Sequence, residues 1–441
     1  MGYKLAPPPS LSAFPFSASK PMQPITPSVG TLPARAPTQY LHWTEQGQAC
    51  SAVWRSERGA APPAKVVLAD DTWTADAAYQ MACGGTALLW RGDFHNARQL
   101  LQALQRRIDT PPKRKNRGAK GPGAAPTDGP MDPQVFHLHR QAQAQRARIL
   151  AMVLVPLDGN YDITLRRAPD SRLACTEAWG PVVEPAQASV ASLRDVLAMR
   201  SASEWRKNGV EIAALGPAPG NRIHPHYGVF SPVRGEYIDL VAAQPLPAQD
   251  AAGVQGSVPY RAFDIGTGSG VLSAVLVRRQ VAQVVATDQD GRAMACAGDN
   301  FARLGVAASI ELQQTDMFPE GRANLVMCNP PWLPARPSAP VEYAVYDENS
   351  RMLLAFLAGL PGHLLPGGEG WLILSDLAER LGLRSPTMLT DAIAAAGLVV
   401  LGRSDAKPVH AKSQAPVDAL HPARSREVTS LWRLGVAPVV H

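Results

Sequence analysis

Ala262-Phe263-Asp264-Ile265-Gly266-Thr267-Gly268-Ser269-Gly270 is a short apolar strand that runs directly into three glycines at alternate positions, and an apolar helical stretch, Val271 to Val277, follows it. Glycines let the backbone turn tightly and approach a ligand closely, and the helix start beyond them leaves N–H groups without intrahelical partners. The spacing is GxGxG, one residue shorter than the GxGxxG turn that seats a dinucleotide pyrophosphate, which points away from a nicotinamide cofactor. A second apolar run, Val284-Val285-Ala286-Thr287, ends in Asp288, 22 residues after Gly266. An acidic side chain at that strand tip can accept both ribose hydroxyls of an adenosine-containing ligand.

Outward from this turn, strands are expected at Ala282–Thr287, Ile310–Gln313, Ala323–Cys328, Gly370–Ser375, Leu398–Gly402 and Val428–Leu434, with helix-length segments between most of them. Such alternation implies crossover connections and a mostly parallel sheet covered on both faces. The last two strands lack a strong helix between them, so an antiparallel pair is expected at that edge. The fold class expected is α/β, a Rossmann-like seven-stranded domain at the C-terminus over residues 222–435.

The third strand leads to Thr315-Asp316-Met317-Phe318. Asp316 would sit at the same sheet edge, accepting the exocyclic amine of adenine while Met317 or Phe318 packs on the ring; taken singly, it reads equally as a helix cap or loop aspartate. The fourth strand ends in Asn329-Pro330-Pro331-Trp332. The prolines stiffen the backbone and supply no N–H, so the Asn329 side-chain oxygen and the Pro330 carbonyl can together hold both hydrogens of an amino group, with Trp332 stacked on the planar group that bears it. Acceptors placed around a delocalised nitrogen favour its pyramidal, reactive form in the transition state.

Asp264-x-Gly266-x-Gly268-x-Gly270, Asp288, Asp316 and Asn329-Pro330-Pro331-Trp332 together resemble motifs I to IV of class I S-adenosylmethionine-dependent methyltransferases. They are most similar to the small-domain group that includes release-factor glutamine N5-methyltransferases and several rRNA and adenine-N6 enzymes. The resemblance covers about half the chain. It implies S-adenosyl-L-methionine as cofactor, with Asp264 and Gly266 near its methionine part, Asp288 on the ribose, Asp316 at the adenine, Gly268, Gly270 and Met317 also cofactor-binding, and Asn329, Pro330, Pro331 and Trp332 as the catalytic clamp. No metal is implied. Upstream, Tyr227 to Glu236 lies where the glutamine methyltransferases carry a proline-arginine and threonine-glutamate motif, and the match is loose. The acceptor expected is a glutamine amide of a translation-related protein, with an exocyclic amine of an RNA or DNA base as the alternative and a non-catalytic cofactor-binding scaffold as a second one. Tyr343, Tyr346 and Asp347, in the proline-rich loop after the clamp, are possible substrate contacts or plain loop packing.

The rest of the chain is different in character. Residues 1–220 hold 25 Lys and Arg against 17 Asp and Glu, and the remainder 18 against 20. The basic half suits RNA, DNA or an acidic protein surface as partner, and says nothing of reaction type. The first 44 residues hold nine prolines and no acidic residue and read as a disordered tail. Residues 45–215 read as a mixed α/β, mainly helical accessory domain. Within it, a strand is expected at Lys65–Ala69, helices at Thr74–Leu89 and Asp93–Ile108, a flexible basic loop over 109–133, a helical patch at Arg140–Arg148 and a strand at Asp162–Arg166. His137 and His139 form a pair without a third ligand set. The five cysteines are scattered, without CxxC spacing, which suits a reducing cytoplasm. No apolar run approaches the ~18 residues that would span a bilayer, so no membrane partner is expected.

Overall fold

The structure, a computed structural model, describes residues 38–110, 129–183, 186–248, 259–337, 340–408 and 418–438. Its C-terminal sheet is built from β9 (Arg261–Ile265), β10 (Gln283–Asp288), β11 (Ile310–Gln314), β12 (Ala323–Cys328), β13 (Leu364–Ser375), β14 (Leu398–Ala406) and β15 (Thr429–Val436) in the order β11-β10-β9-β12-β13-β15-β14. The first five are parallel, and β15 runs antiparallel to both its neighbours. All seven strands fall where the hydrophobic runs put them.

Helices α6 (Glu236–Ala243), α7 (Val271–Arg278) and α8 (Gly291–Leu304) cover one face, and α9 (Arg351–His363) and α10 (Met388–Ala395) the other. In α8 the Asp290 side chain caps the first turn and Gly305 closes the last in the left-handed region. Its buried residues Ala293, Ala297, Phe301 and Leu304 recur every three or four positions, the spacing of one helix face. The two faces are filled by separate apolar clusters, one around Val275 and Trp371, the other around Phe263 and Phe356.

Register fixes the site. Asp264 on β9 lies level with Ala286 on β10 and Met327 on β12. Gly266, Asp288 and Asn329 therefore each leave the sheet two residues beyond one common row. The chain order reverses between β9 and β12, and such a switch point opens a crevice at the carboxyl ends of the strands.

The N-terminal part carries a second sheet, β1 (Tyr40–Glu45), β2 (Gln48–Arg55), β3 (Lys65–Ala69), β4 (Thr86–Trp90), β5 (Val153–Leu157) and β6 (Ser189–Ser192), in the order β1-β2-β6-β5-β4-β3. The helices α1 (Ala75–Cys83), α2 (Phe94–Asp109), α3 (Pro133–Leu150), α4 (Arg172–Trp179) and α5 (Leu193–Asn208) take up more of the chain than these strands, so it is mixed and mainly helical. A two-residue ribbon, β7 (Val210–Glu211) with β8 (Arg222–Ile223), leads into the C-terminal sheet.

Three expectations are corrected here. The helix expected over Thr74–Leu89 stops at Cys83, where Gly84 and Gly85 (φ +80°) turn the chain, and the apolar residues after them form β4, a mostly buried strand between β5 and β3. Asp162–Arg166 makes two isolated bridges and no regular strand. The expected tail over 1–44 overlaps β1, which begins at Tyr40; residues 1–37, and 111–128 of the basic loop, lie outside the described residues. The described residues from Gln39 onward form one compact unit. Among the described residues no helix is long and apolar enough to cross a membrane.

Candidate active site

The turn after β9 is held by one buried carboxylate. Asp264 is 1% exposed, and its Oδ2 accepts from Thr267 Oγ1 (2.8 Å), Ser273 N (3.1 Å) and Ser273 Oγ (2.6 Å). Burial pushes this carboxyl upward from its ordinary range, while the donors from Ser273 and Thr267 pull it back. At Gly270 (φ +81°) a Cβ would stand 2.5 Å from the Phe301 ring, so this glycine admits α8 against the turn. At Gly268 (φ +55°) a Cβ would meet nothing within 4 Å, because the turn faces open space there.

That space is a cavity of about 720 Å³ lined by Gly266, Thr267, Gly268, Asp288, Asp316, Met317 and Asn329 through Trp332, among others. Nine of the eleven residues singled out from the sequence meet in it. Asp264 and Gly270 stand behind the turn and shape it without lining the cavity.

Asp288 accepts Gly268 N at 3.0 Å on one oxygen and Asp290 N at 2.9 Å on the other. Each oxygen keeps a lone pair for a diol. Burial raises this carboxyl above its ordinary range, partly offset by the backbone donors of Asp290 and Gly268. Asp316 is engaged differently: Arg351 Nη1 and Nη2 hold its two oxygens at 3.0 and 3.1 Å. Of the two side chains proposed for an adenine ring, Met317 (φ +77°) lines the cavity and its carbonyl accepts Thr287 Oγ1 at 2.7 Å. Phe318 turns away and stacks on His363 at 4.2 Å.

At the other end, Trp332 Nε1 donates to Asn329 Oδ1 at 3.0 Å. The indole thus supplies a hydrogen bond that fixes the amide, beyond any stacking role. Arg384, 6% exposed, donates from Nη2 to the Trp332 carbonyl at 3.0 Å. The Arg234 guanidinium lies 5.6 Å over the Trp332 ring and is paired at 3.1 Å with Glu427, whose other oxygen accepts Ser375 Oγ at 2.8 Å. Glu427, Arg384 and Arg351 escape sequence reasoning because long stretches of chain separate them from the motifs and only the sheet order brings them close. Arg234 belongs to the Tyr227–Glu236 stretch, and Gly228, Val229 and Phe230 from the same stretch also line the cavity.

In the loop beyond, Asp347 accepts from Met352 N (2.9 Å) and Leu353 N (3.2 Å), so it caps α9. Tyr346 lies under Arg140 of α3, while Tyr343 is 66% exposed and lines the cavity mouth. Cys328 is buried and its thiol pushed well up, which leaves no reactive thiolate.

The family model described as methyltransferase small domain matches residues 221–379. A release factor glutamine methyltransferase from Cereibacter sphaeroides is 33% identical over 152 residues, 29% of this chain and 54% of its own length. One from Bordetella pertussis is 34% identical over 135 residues, 27% of this chain and 49% of its own. A ribosomal protein L11 methyltransferase from Pelotomaculum thermopropionicum is 33% identical over 145 residues, 32% and 39% of the two chains. The chain spans about half the length of the first two relatives. A solved methyltransferase from Pyrococcus furiosus is similar with 18% identity and a TM-score of 0.36, over 54% of this chain and 98% of its own.

Proposed function

We propose, for a chain whose residues 221–379 match the family model described as methyltransferase small domain, that it transfers a methyl group from S-adenosylmethionine to a planar nitrogen, and that this nitrogen is a glutamine amide of a translation-related protein. The observation that carries the reading is one cavity with the glycine turn and Asp288 at one end and Asn329-Pro330-Pro331-Trp332 at the other. The residues fit the cofactor. Gly268 leaves room at the turn, Asp288 keeps acceptor sites for a ribose diol, and Met317 offers an apolar contact for a ring.

When bound, the cofactor supplies a methyl group on a positively charged sulfur. The chain's own part is placement. Asn329 Oδ1, already oriented by the Trp332 indole, and the Pro330 carbonyl accept the two amide hydrogens and turn the nitrogen lone pair toward the glycine turn. Two successive prolines leave no competing N–H at that point. The proton of the methylated amide is lost after transfer, so no strong base is needed beside the clamp.

A protein acceptor is favoured over nucleic acid by the charge at the acceptor end. Arg234 is paired with Glu427 and Arg140 with Glu342, so these cations are neutralised within the chain and do not offer themselves to phosphates. Two relatives named for release factor glutamine and one for ribosomal protein L11 point the same way.

The test is label transfer from tritiated S-adenosylmethionine into a lysate lacking this gene, divided among protease, ribonuclease and deoxyribonuclease. Protease-sensitive label that mass spectrometry assigns to a glutamine is expected. Nuclease-sensitive label would replace the amide by a base amine, and wild-type transfer by Asn329→Ala would remove the clamp assignment altogether.

A further inference from the structure

Helix α3 belongs to the N-terminal part of the chain, yet its first half packs on the loop that leaves the clamp. Phe136 is 2% exposed and sits in one apolar cluster with Leu333, the residue after Trp332, and with Leu377, Leu381 and Leu420. Met131, just before α3, donates its N–H to the Arg380 carbonyl at 2.8 Å. One turn beyond Phe136, Arg140 reaches the loop at three points. Its Nη1 donates to the Arg336 carbonyl at 2.9 Å, its Nη2 meets Glu342 Oε2 at 3.3 Å, and its guanidinium lies 4.1 Å over the Tyr346 ring.

The loop held this way connects the two ends of the cavity. Leu333 N–H donates to the Val345 carbonyl (3.2 Å), and Asp347 N–H to the Leu333 carbonyl (2.9 Å). Asp347 then caps α9, whose first residues, Arg351 and Met352, line the cavity near the glycine turn. Tyr343 and Val345, on the same loop, line its mouth. A planar fork with one carbonyl, one carboxylate and one ring to satisfy fixes three points at once, which a point charge could not do.

We propose that Arg140 is a positioning residue for the acceptor: through Arg336, Glu342 and Tyr346 it holds the loop after the clamp in the geometry that forms the acceptor side of the cavity. The N-terminal part of the chain thereby belongs to the catalytic unit and does more than append a recognition surface. The rate arm of the test rests on the transfer reaction proposed above; the exchange arm does not.

In the full-length Arg140→Ala variant, hydrogen exchange at the amides of Leu333, Val345, Tyr346 and Asp347 is expected to accelerate, with exchange in β9, β10 and α8 as in wild type. Affinity for S-adenosylhomocysteine by calorimetry stays unchanged. Transfer of label into the lysate acceptor, followed against acceptor concentration, falls roughly tenfold to a hundredfold in kcat/KM, the scale of an ångström-level misplacement. Arg140→Lys keeps the charge without the fork and falls between. If Arg140→Ala does not fold, Arg140→Met keeps the apolar stem and reports the same amides. Loop exchange identical to wild type in a folded variant overturns the proposal. If wild-type chain labels nothing, the transfer reading fails while loop exchange still decides the role of Arg140.

Discussion

Asp288 accepts the Gly268 and Asp290 amides, and in the function proposed above it also accepts a ribose diol. Burial places its proton affinity above the ordinary value of 3.8. A proton is therefore retained to higher pH than on a free aspartate, and a protonated carboxyl accepts the diol poorly. Affinity for S-adenosylhomocysteine should weaken on acidification from pH 8, beginning at a higher pH than an exposed aspartate would give. Calorimetry across that range checks it, and Asp288→Asn should flatten the profile. Asp288→Ala should weaken binding about tenfold to a hundredfold, the usual range for hydrogen bonds to a charged group. At Gly270 the argument is steric. Gly270→Ala combines a left-handed φ with overlap on Phe301 and should destabilise by about 2–4 kcal/mol in urea unfolding.

At the scale of elements, the loop from Leu333 holds two short 3-10 turns, Pro340–Ala344 and Glu348–Ser350, and meets α9 through one side-chain cap. Asp347 satisfies Met352 and Leu353 amides at the start of α9. Asp347→Ala should destabilise by about 1–2 kcal/mol and lower cofactor affinity by releasing Arg351 from Asp316. A thermal scan with and without S-adenosylhomocysteine reads both effects, and an undiminished ligand shift would show that Arg351 holds Asp316 without the cap. Most of the C-terminal sheet was legible in the sequence because β9, β10 and β12 are buried on both faces and read as apolar runs, while the edge strand β11 alternates apolar and polar residues over Ile310–Leu312. The N-terminal elements were less so. Thr86–Trp90 is as apolar as a helix face, and only the Gly84-Gly85 break separates it from α1; β1 at the sheet edge and β2 beside it have mixed residues that carry no clear period.

For the whole molecule, the decisive contact is Phe136 against Leu333, Leu377 and Leu420. Phe136→Ala removes a fully enclosed ring and should destabilise by about 3–5 kcal/mol, measured by urea unfolding. A fragment starting at residue 222 leaves those leucines bare and should be less soluble than the full chain; equal solubility and stability would show that the α3 contact contributes little.

The glycine turn, Asp288, Asp316 and Asn329 to Trp332 were picked out by sequence alone, because each directly follows a strand-length segment and stands out by residue type and spacing. That they meet in one cavity required the strand order and register, which put Gly266, Asp288 and Asn329 two residues beyond a common row. The partners that orient them were decided only by the tertiary structure. Trp332, expected from the sequence to stack, donates to Asn329 three residues away, a contact the sequence reading did not anticipate. Arg234 with Glu427 and Arg140 with Glu342 join charges 193 and 202 residues apart, a distance at which no local pattern carries information and only packing brings the groups together.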